Sequence, residues 1–235
     1  MPDAIFAHPR LARIYDAFDG DRRDLAAYLR IADELGACKV LDVGCGTGCL
    51  AVLLAESGRT VVAVDPAEAS LAVARAKDAR VTWRHGDATT LPELDADLAV
   101  MTGNVAQVFL TDEEWAATLR GIRAALRPGG HLVFETRRPE FRAWESWGES
   151  VRVLDVPGVG EVEERREVTE VRLPLVSFRF RYTFLTDNTI LASDSTIRFR
   201  SQDEIVVSLH EQGYRVLDVR DAADRPGREL VFLAR

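Results

Sequence analysis

A run of glycines set between an apolar strand and a helix constrains this chain more than any other feature. Residues 40–48 read Val-Leu-Asp-Val-Gly-Cys-Gly-Thr-Gly. Lys39 to Val43 have the pattern of a short buried strand, and the segment from Cys49 has that of a helix closed by Ser57 and Gly58. Without a Cβ, glycine lets the backbone turn tightly and lets a ligand approach closely. The helix behind the turn offers unpaired N–H groups to a polar or anionic ligand. The sixth position counted from Gly44 is Cys49. The pyrophosphate fingerprint of dinucleotide folds is therefore incomplete, which argues against an NAD-type oxidoreductase. No Gly-Lys-Ser/Thr follows, which excludes a Walker P-loop.

Acidic residues follow at the ends of the next strands. Asp65 closes the strand from Thr60 to Val64, and a carboxylate there is placed to accept from a ribose diol. Asp87 follows the strand from Val81 to Arg84, in His85-Gly86-Asp87-Ala88, where it can accept from an exocyclic amine such as that of adenine. Polar features at successive strand ends converge on one crevice, where open α/β sheets bind ligands.

Up to residue 136 helical and strand periods alternate, which predicts a parallel sheet with helices on both faces. Over residues 21–35, Leu25, Tyr28, Leu29, Ala32 and Leu35 share one helical face, and Gly36 ends the helix. Pro66 opens a helix to about Lys77. Asp97 to Met101 form a fourth strand, Thr111 and Glu114 a capping box for a helix to about Leu126, Arg127 to Gly130 a turn, and Leu132 to Glu135 a fifth strand. From about Val151 to Arg200 the helical period disappears. Phe178, Phe180, Tyr182 and Phe184 alternate with Arg179, Arg181 and Thr183, as in a strand with one wet face. An antiparallel insertion is expected there, with a hairpin turn at Asp187-Asn188. A helix capped by Ser201 and Glu204 runs to Gly213, and two strands follow, Tyr214 to Val219 and Leu230 to Leu233.

The net charge of −8 argues against non-specific binding to nucleic acid, which needs clustered cations. Cys38, Cys45 and Cys49 make an odd set in a chain without a visible export signal, so reduced thiols and a cytoplasmic location are expected. With no second cysteine pair, no metal site is expected. No stretch approaches the roughly 20 apolar residues that span a bilayer, so no membrane partner is expected.

These segments resemble class I S-adenosylmethionine-dependent methyltransferases of the small-molecule type. The likeness rests on VLDVGCGTG (40–48), VVAVDP (61–66), HGDATTLP (85–92), DLAVMTGNVAQVF (97–109) and LRPGGHLVFET (126–136), in the family's order and spacing. It implies a Rossmann-like α/β fold whose seven-stranded sheet has the order 3-2-1-4-5-7-6, with helices on both faces and the antiparallel β insertion after strand 5. The chain then divides into an N-terminal helical lid segment (1–36), a donor-binding core (37–140), the insertion (141–200) as roof or dimer element, and a C-terminal helix with the last two strands (201–235). The resemblance implies S-adenosyl-L-methionine as cofactor and S-adenosyl-L-homocysteine as product. By the same resemblance Gly44, Cys45, Gly46 and Gly48 pack against the methionyl part and ribose. Asp65, with Pro66 beside it, holds the ribose hydroxyls, Asp87 takes the adenine amine, and the Ala88 N–H faces the ring. Thr102, Gly103 and Asn104 line the methyl-donor side, Asp42 supports the loop or the methionyl ammonium, and Tyr15 folds over the donor.

Methyl transfer from a sulfonium is an in-line displacement that needs alignment and desolvation more than a reactive side chain. No catalytic base is assigned: His131 starts the fifth strand at the wrong end of the sheet, His210 sits late in a helix, His85 lies toward the adenine side, and His8 falls in the lid segment. For a small-molecule acceptor the candidates are Asn104 and Gln107 after strand 4, Arg137 and Arg138 after strand 5, and Trp144 and Trp147 in the segment that follows. Trp144 and Trp147 serve equally well as anchors of the insertion. A non-catalytic nucleoside-binding protein is the alternative, and a homodimer through the insertion is open.

Overall fold

Strands β1 (Lys39–Val43), β2 (Thr60–Asp65) and β4 (Ala96–Met101) are near-continuous apolar runs because helices cover both faces of the sheet they form. In the computed structural model, which describes residues 2–148 and 150–235, they pair in parallel with β3 (Thr82–His85) and β5 (Leu126–Arg137). Antiparallel β11 (Glu229–Ala234) and β10 (Val216–Asp221) complete a seven-stranded sheet of order β3-β2-β1-β4-β5-β11-β10. This is the expected Rossmann-like topology.

Two cores sandwich the sheet. Helices α3 (Leu25–Glu34) and α4 (Cys49–Glu56) pack Leu25, Tyr28, Leu50 and Leu54 against Val40, Leu98 and Val133. On the other face α6 (Asp112–Ala125) and α7 (Gln202–Glu211) bring Trp115, Leu119, Ile122 and Leu209 onto Leu41, Val43, Met101, Phe134 and Phe232. Both α6 and α7 start with reciprocal capping boxes, Thr111 with Glu114 and Ser201 with Glu204. Helix α5 (Glu68–Lys77) follows β2.

Two local readings are corrected. Arg127 to Gly130, expected as a turn, is the irregular head of β5. Gly129 has φ 79° there, a register shift lies between Ala96 and Leu98, and a Cβ on Gly130 would stand 2.9 Å from the Ala96 carbonyl oxygen. The same glycines that suit a turn admit this close approach to β4. Strand β10 begins at Val216 rather than Tyr214, because Tyr214 turns inward and donates its hydroxyl to the Leu119 carbonyl at 2.8 Å.

Beyond β5, two 3-10 turns at Pro139–Phe141 and Ala143–Ser146 lead into a four-stranded antiparallel sheet, β6 (Ser150–Val156), β7 (Gly160–Arg172), β8 (Leu175–Phe184) and β9 (Thr189–Arg198). Its buried face packs Val162, Tyr182 and Phe184 against Ile5, Leu11, Ile14 and Phe18 of α1 (Ala4–Ala7) and α2 (Pro9–Asp19). The N-terminal helices are thus held between the insertion and the glycine loop.

Candidate functional site

The glycine loop is fixed from below and from both sides. The N–H groups of Gly44 and Cys45 both donate to the Val64 carbonyl, at 2.9 and 3.1 Å. Gly44, Gly46 and Gly48 have φ of 71°, 53° and 83°, a region that side chains disfavour. A Cβ on Gly44 would meet Val105 at 2.8 Å, and one on Gly48 would meet the Trp83 ring at 2.4 Å. Gly46 has open space at the equivalent point.

Two carboxylates stand beside this loop. Asp65 Oδ2 accepts the Gly46 N–H at 2.8 Å, and Oδ1 accepts the Ala67 N–H at 2.8 Å, a pairing that spans Pro66. Burial still raises the Asp65 pKa above the ordinary carboxylate range. Asp42 is 1% exposed, and its Oδ1 has no hydrogen-bond partner. Burial, with the charge of Asp65 adding to it, pushes its carboxyl up to about 7.

Asp87 lies exposed at the edge past β3, where Oδ1 accepts from the Thr89 N–H at 2.8 Å and hydroxyl at 2.6 Å. Ala88 is buried against α6, where its carbonyl allows only glycine at position 121. Thr102, Gly103 and Asn104 follow β4, with Gly103 and Asn104 at φ 70° and 62°. Both of their N–H groups donate to Glu135 Oε1, at 2.7 and 3.3 Å. Val105 carries the same segment onto Gly44, so the loops after β1 and β4 touch.

Tyr15, on α2, packs on Phe6 with ring centroids 5.3 Å apart, and burial raises its phenol pKa. Its neighbour Asp16, which the sequence reading did not single out, makes the direct contact with the loop. Thr47 Oγ1 donates to Asp16 Oδ1 at 2.5 Å, and Lys77 Nζ pairs with Oδ2 at 2.5 Å. Helix α2 is therefore seated on the glycine loop. Two surface hollows lie elsewhere, one beside Arg10, Arg13 and Phe184 and one beside Asp155, Gly160 and Leu185.

The residues suggested for an acceptor separate into two groups. Asn104, Gln107 and Arg137 come together. Arg137 Nη1 donates to Gln107 Oε1 at 2.9 Å, Gln107 Nε2 to the Arg198 carbonyl at 3.2 Å, and Asn104 Nδ2 to Glu229 Oε1 at 3.3 Å. The Arg137 guanidinium also lies 5.3 Å from the Trp147 ring centroid. Arg138 and Trp144 stand apart. Arg138 reaches Asp221 at 3.5 Å on the surface, and Trp144 packs edge-on to Phe199 among Val176 and Ile197. Sequence reasoning missed four members of the first group: Tyr28, Glu135, Arg225 and Glu229. Tyr28 donates to Glu135 Oε2 at 2.5 Å and Arg225 Nη1 to Glu229 Oε1 at 2.9 Å. The available clue was a glutamate inside each of two apolar strands.

Among the described residues, no group of His, Cys, Asp or Glu is placed to hold a metal ion, and no helix is long and apolar enough to cross a membrane.

Comparison with known proteins agrees with this geometry. Residues 40–130 match the model of a methyltransferase domain. A probable S-adenosylmethionine-dependent methyltransferase of Mycolicibacterium smegmatis is 36% identical over 115 residues, covering 49% of this chain and 44% of that protein. The chain spans about half the length of the curated relatives it matches. Among solved structures, an S-adenosylmethionine-dependent methyltransferase from Clostridium acetobutylicum superposes with a TM-score of 0.78 at 18% identity, covering 96% of this chain and 97% of the other. The sugar N-methyltransferase KedS8 from Streptoalloteichus also gives 0.78 at 18% identity, over 93% and 91% of the two chains. The sheet order and glycine loop define a nucleoside-type class I α/β fold. Residues 40–130 carry a methyltransferase domain, and the chain as a whole has the fold of class I S-adenosylmethionine-dependent methyltransferases.

Proposed function

We propose that this chain transfers the methyl group of S-adenosylmethionine to a small-molecule acceptor. The observation that carries the reading is the pairing of Asp65 with the Gly46 N–H beside an Asp42 oxygen that is buried and unpartnered. A buried acceptor without a donor is costly, and the methionyl ammonium is a donor of the matching charge. Each Asp65 oxygen keeps a lone pair for a ribose hydroxyl after accepting its backbone N–H. The residues that would hold the donor are Asp42, Gly44, Cys45, Gly46, Gly48, Asp65 and Pro66, with Asp87 and Ala88 toward the adenine. Thr102, Gly103 and Asn104 would lie toward the reacting end, with Tyr15 above.

The bound cofactor supplies a methyl group already activated by a sulfonium charge. The chain's own contribution is alignment and exclusion of water. Asp65 fixes the loop, and α2, held down through Asp16, covers it. A small acceptor is favoured because Asn104 and Gln107 are buried, with Gln107 bonded to the Arg198 carbonyl of the insertion. The likeness in fold to a sugar N-methyltransferase points the same way. Calorimetric titration with S-adenosylhomocysteine tests the reading: micromolar binding that Asp65→Ala largely abolishes is expected, and undetectable binding to folded wild-type protein refutes it.

A further inference from the structure

The buried polar group at the carboxyl ends of β4 and β5 and the amino end of β11 has acceptors left over. Glu135, 1% exposed, is partnered on both oxygens: Oε1 takes the N–H groups of Gly103 and Asn104, and Oε2 takes the Tyr28 hydroxyl. Glu229, 3% exposed, is not. Its Oε1 receives Arg225 Nη1 and Asn104 Nδ2, while Oε2 is buried without a partner. Asn104, 4% exposed, has its Oδ1 buried and unpartnered as well. Because Asn104 Nδ2 bonds Glu229 Oε1, the two free oxygens belong to one touching pair of side chains. Two desolvated oxygens on one bonded pair of side chains, each without a donor, favour a ligand group that can donate twice. Asn104 precedes Val105, which packs on Gly44, so the seat adjoins the donor loop.

Resting on the methyltransferase reading above, we propose that Asn104 Oδ1 and Glu229 Oε2 seat the primary amine of the acceptor, so that the chain methylates nitrogen. A primary amine carries two N–H donors on one atom and satisfies both oxygens; a single hydroxyl satisfies one. The guanidinium groups of Arg225, at 2.9 Å, and Arg137, at 3.6 Å from Glu229 Oε1, offset the charge of the carboxylates, so the seat does not demand an ammonium and admits the free base, which has the lone pair that reacts. That lone pair forms the new nitrogen–carbon bond as the carbon–sulfur bond breaks and its electrons stay on sulfur. The surplus proton on nitrogen passes to Glu229 Oε2. Charged or titratable groups facing Glu229 are Glu135 and Arg137 on β5, Arg225 in the preceding loop and Tyr28 on α3. Burial outweighs the two arginines and raises its pKa, which suits a proton acceptor.

The test titrates benzylamine, glucosamine and glycine, each against its hydroxyl counterpart (benzyl alcohol, glucose, glycolate), into full-length protein saturated with S-adenosylhomocysteine. Methyl transfer to the same compounds is followed in parallel. At least one amine is expected to bind about tenfold or more tightly than its counterpart and to be methylated on nitrogen. Glu229→Gln should lower kcat for that amine about a hundredfold while leaving S-adenosylhomocysteine affinity within about twofold. Asn104→Gly, which suits the left-handed backbone there, should raise KM for the amine. Binding or transfer that favours the hydroxyl partners, no amine bound or methylated, or amine transfer undiminished in both variants overturns the assignment. Loss of S-adenosylhomocysteine binding by the wild type removes the methyltransferase reading itself, and the amine seat with it.

Discussion

Asp65 Oδ2 accepts the Gly46 N–H at 2.8 Å, joining the end of one strand to the turn after its neighbour. The carboxylate sets the turn, so its loss acts on ligand affinity through the backbone as well as through any direct contact. Asp65→Ala strands the N–H groups of Gly46 and Ala67. Affinity for S-adenosylhomocysteine is expected to fall by about tenfold to a hundredfold, or about 1.4–2.8 kcal/mol. Calorimetry on wild type and variant checks this; equal affinities would show that the turn holds without the carboxylate.

Asp42 makes stability depend on pH. Its folded pKa lies near 7 against an ordinary 3.8, so the folded chain holds the proton that the unfolded chain releases. The stabilising contribution is full below about pH 4 and is lost as pH rises through about 7. Asp42→Asn is neutral throughout and escapes that loss. Relative to wild type, the variant should gain up to about 4 kcal/mol between pH 4 and pH 8 in ligand-free protein. Urea unfolding at the two pH values measures the difference, and a gap that does not change with pH contradicts the prediction.

The sheet was legible because its code is local. Lys39–Val43, Thr60–Asp65 and Ala96–Met101 are apolar runs bounded by glycine, proline or polar turns, which marks strands buried on both faces. The glycine loop was legible for the same reason, since a left-handed backbone is written in the residue that adopts it. Arg127 to Gly130 was misread because Pro-Gly-Gly chemistry serves an irregular strand head as well as a turn. The Glu135–Glu229 group was not legible. Each glutamate sits in an apolar strand, and only the antiparallel pairing of β11 with β5 brings them to one edge. The Asp16–Thr47 contact was hidden in the same way, because nothing local says on which loop an amphipathic helix will rest.

Gly48 separates space from conformation. It has φ 83°, and a Cβ there would stand 2.4 Å from the Trp83 ring and 3.0 Å from the Ala74 Cβ. Gly46, at φ 53°, has nothing within 4 Å. Gly46→Ala should therefore cost about 1–2 kcal/mol from backbone conformation alone. Gly48→Ala should cost about 2–5 kcal/mol and shift Trp83 fluorescence, because packing strain is added. Denaturant unfolding of both variants makes the comparison, and equal losses would mean that Trp83 gives way freely.

With α2 seated on the glycine loop through Asp16, a nucleoside-sized ligand is expected to enter as this helix lifts. The hold through Asp16 is local: the Thr47 hydroxyl, the Cys49 thiol at 3.6 Å and a partly exposed ion pair with Lys77, the last worth about 1 kcal/mol or less. The rest of α2 is anchored on the insertion through Leu11, Ile14 and Phe18, which Asp16 does not touch. Asp16→Ala should thus leave the fold intact and raise the open population of the lid about threefold to tenfold. Amide exchange over Pro9–Asp19 should quicken by that factor while β1 and β4 keep their protection. Association and dissociation of S-adenosylhomocysteine should both accelerate, since the same opening gates each. Unchanged exchange in α2 would mean that the insertion alone holds the helix, and unchanged ligand kinetics with faster exchange would mean that entry takes another route.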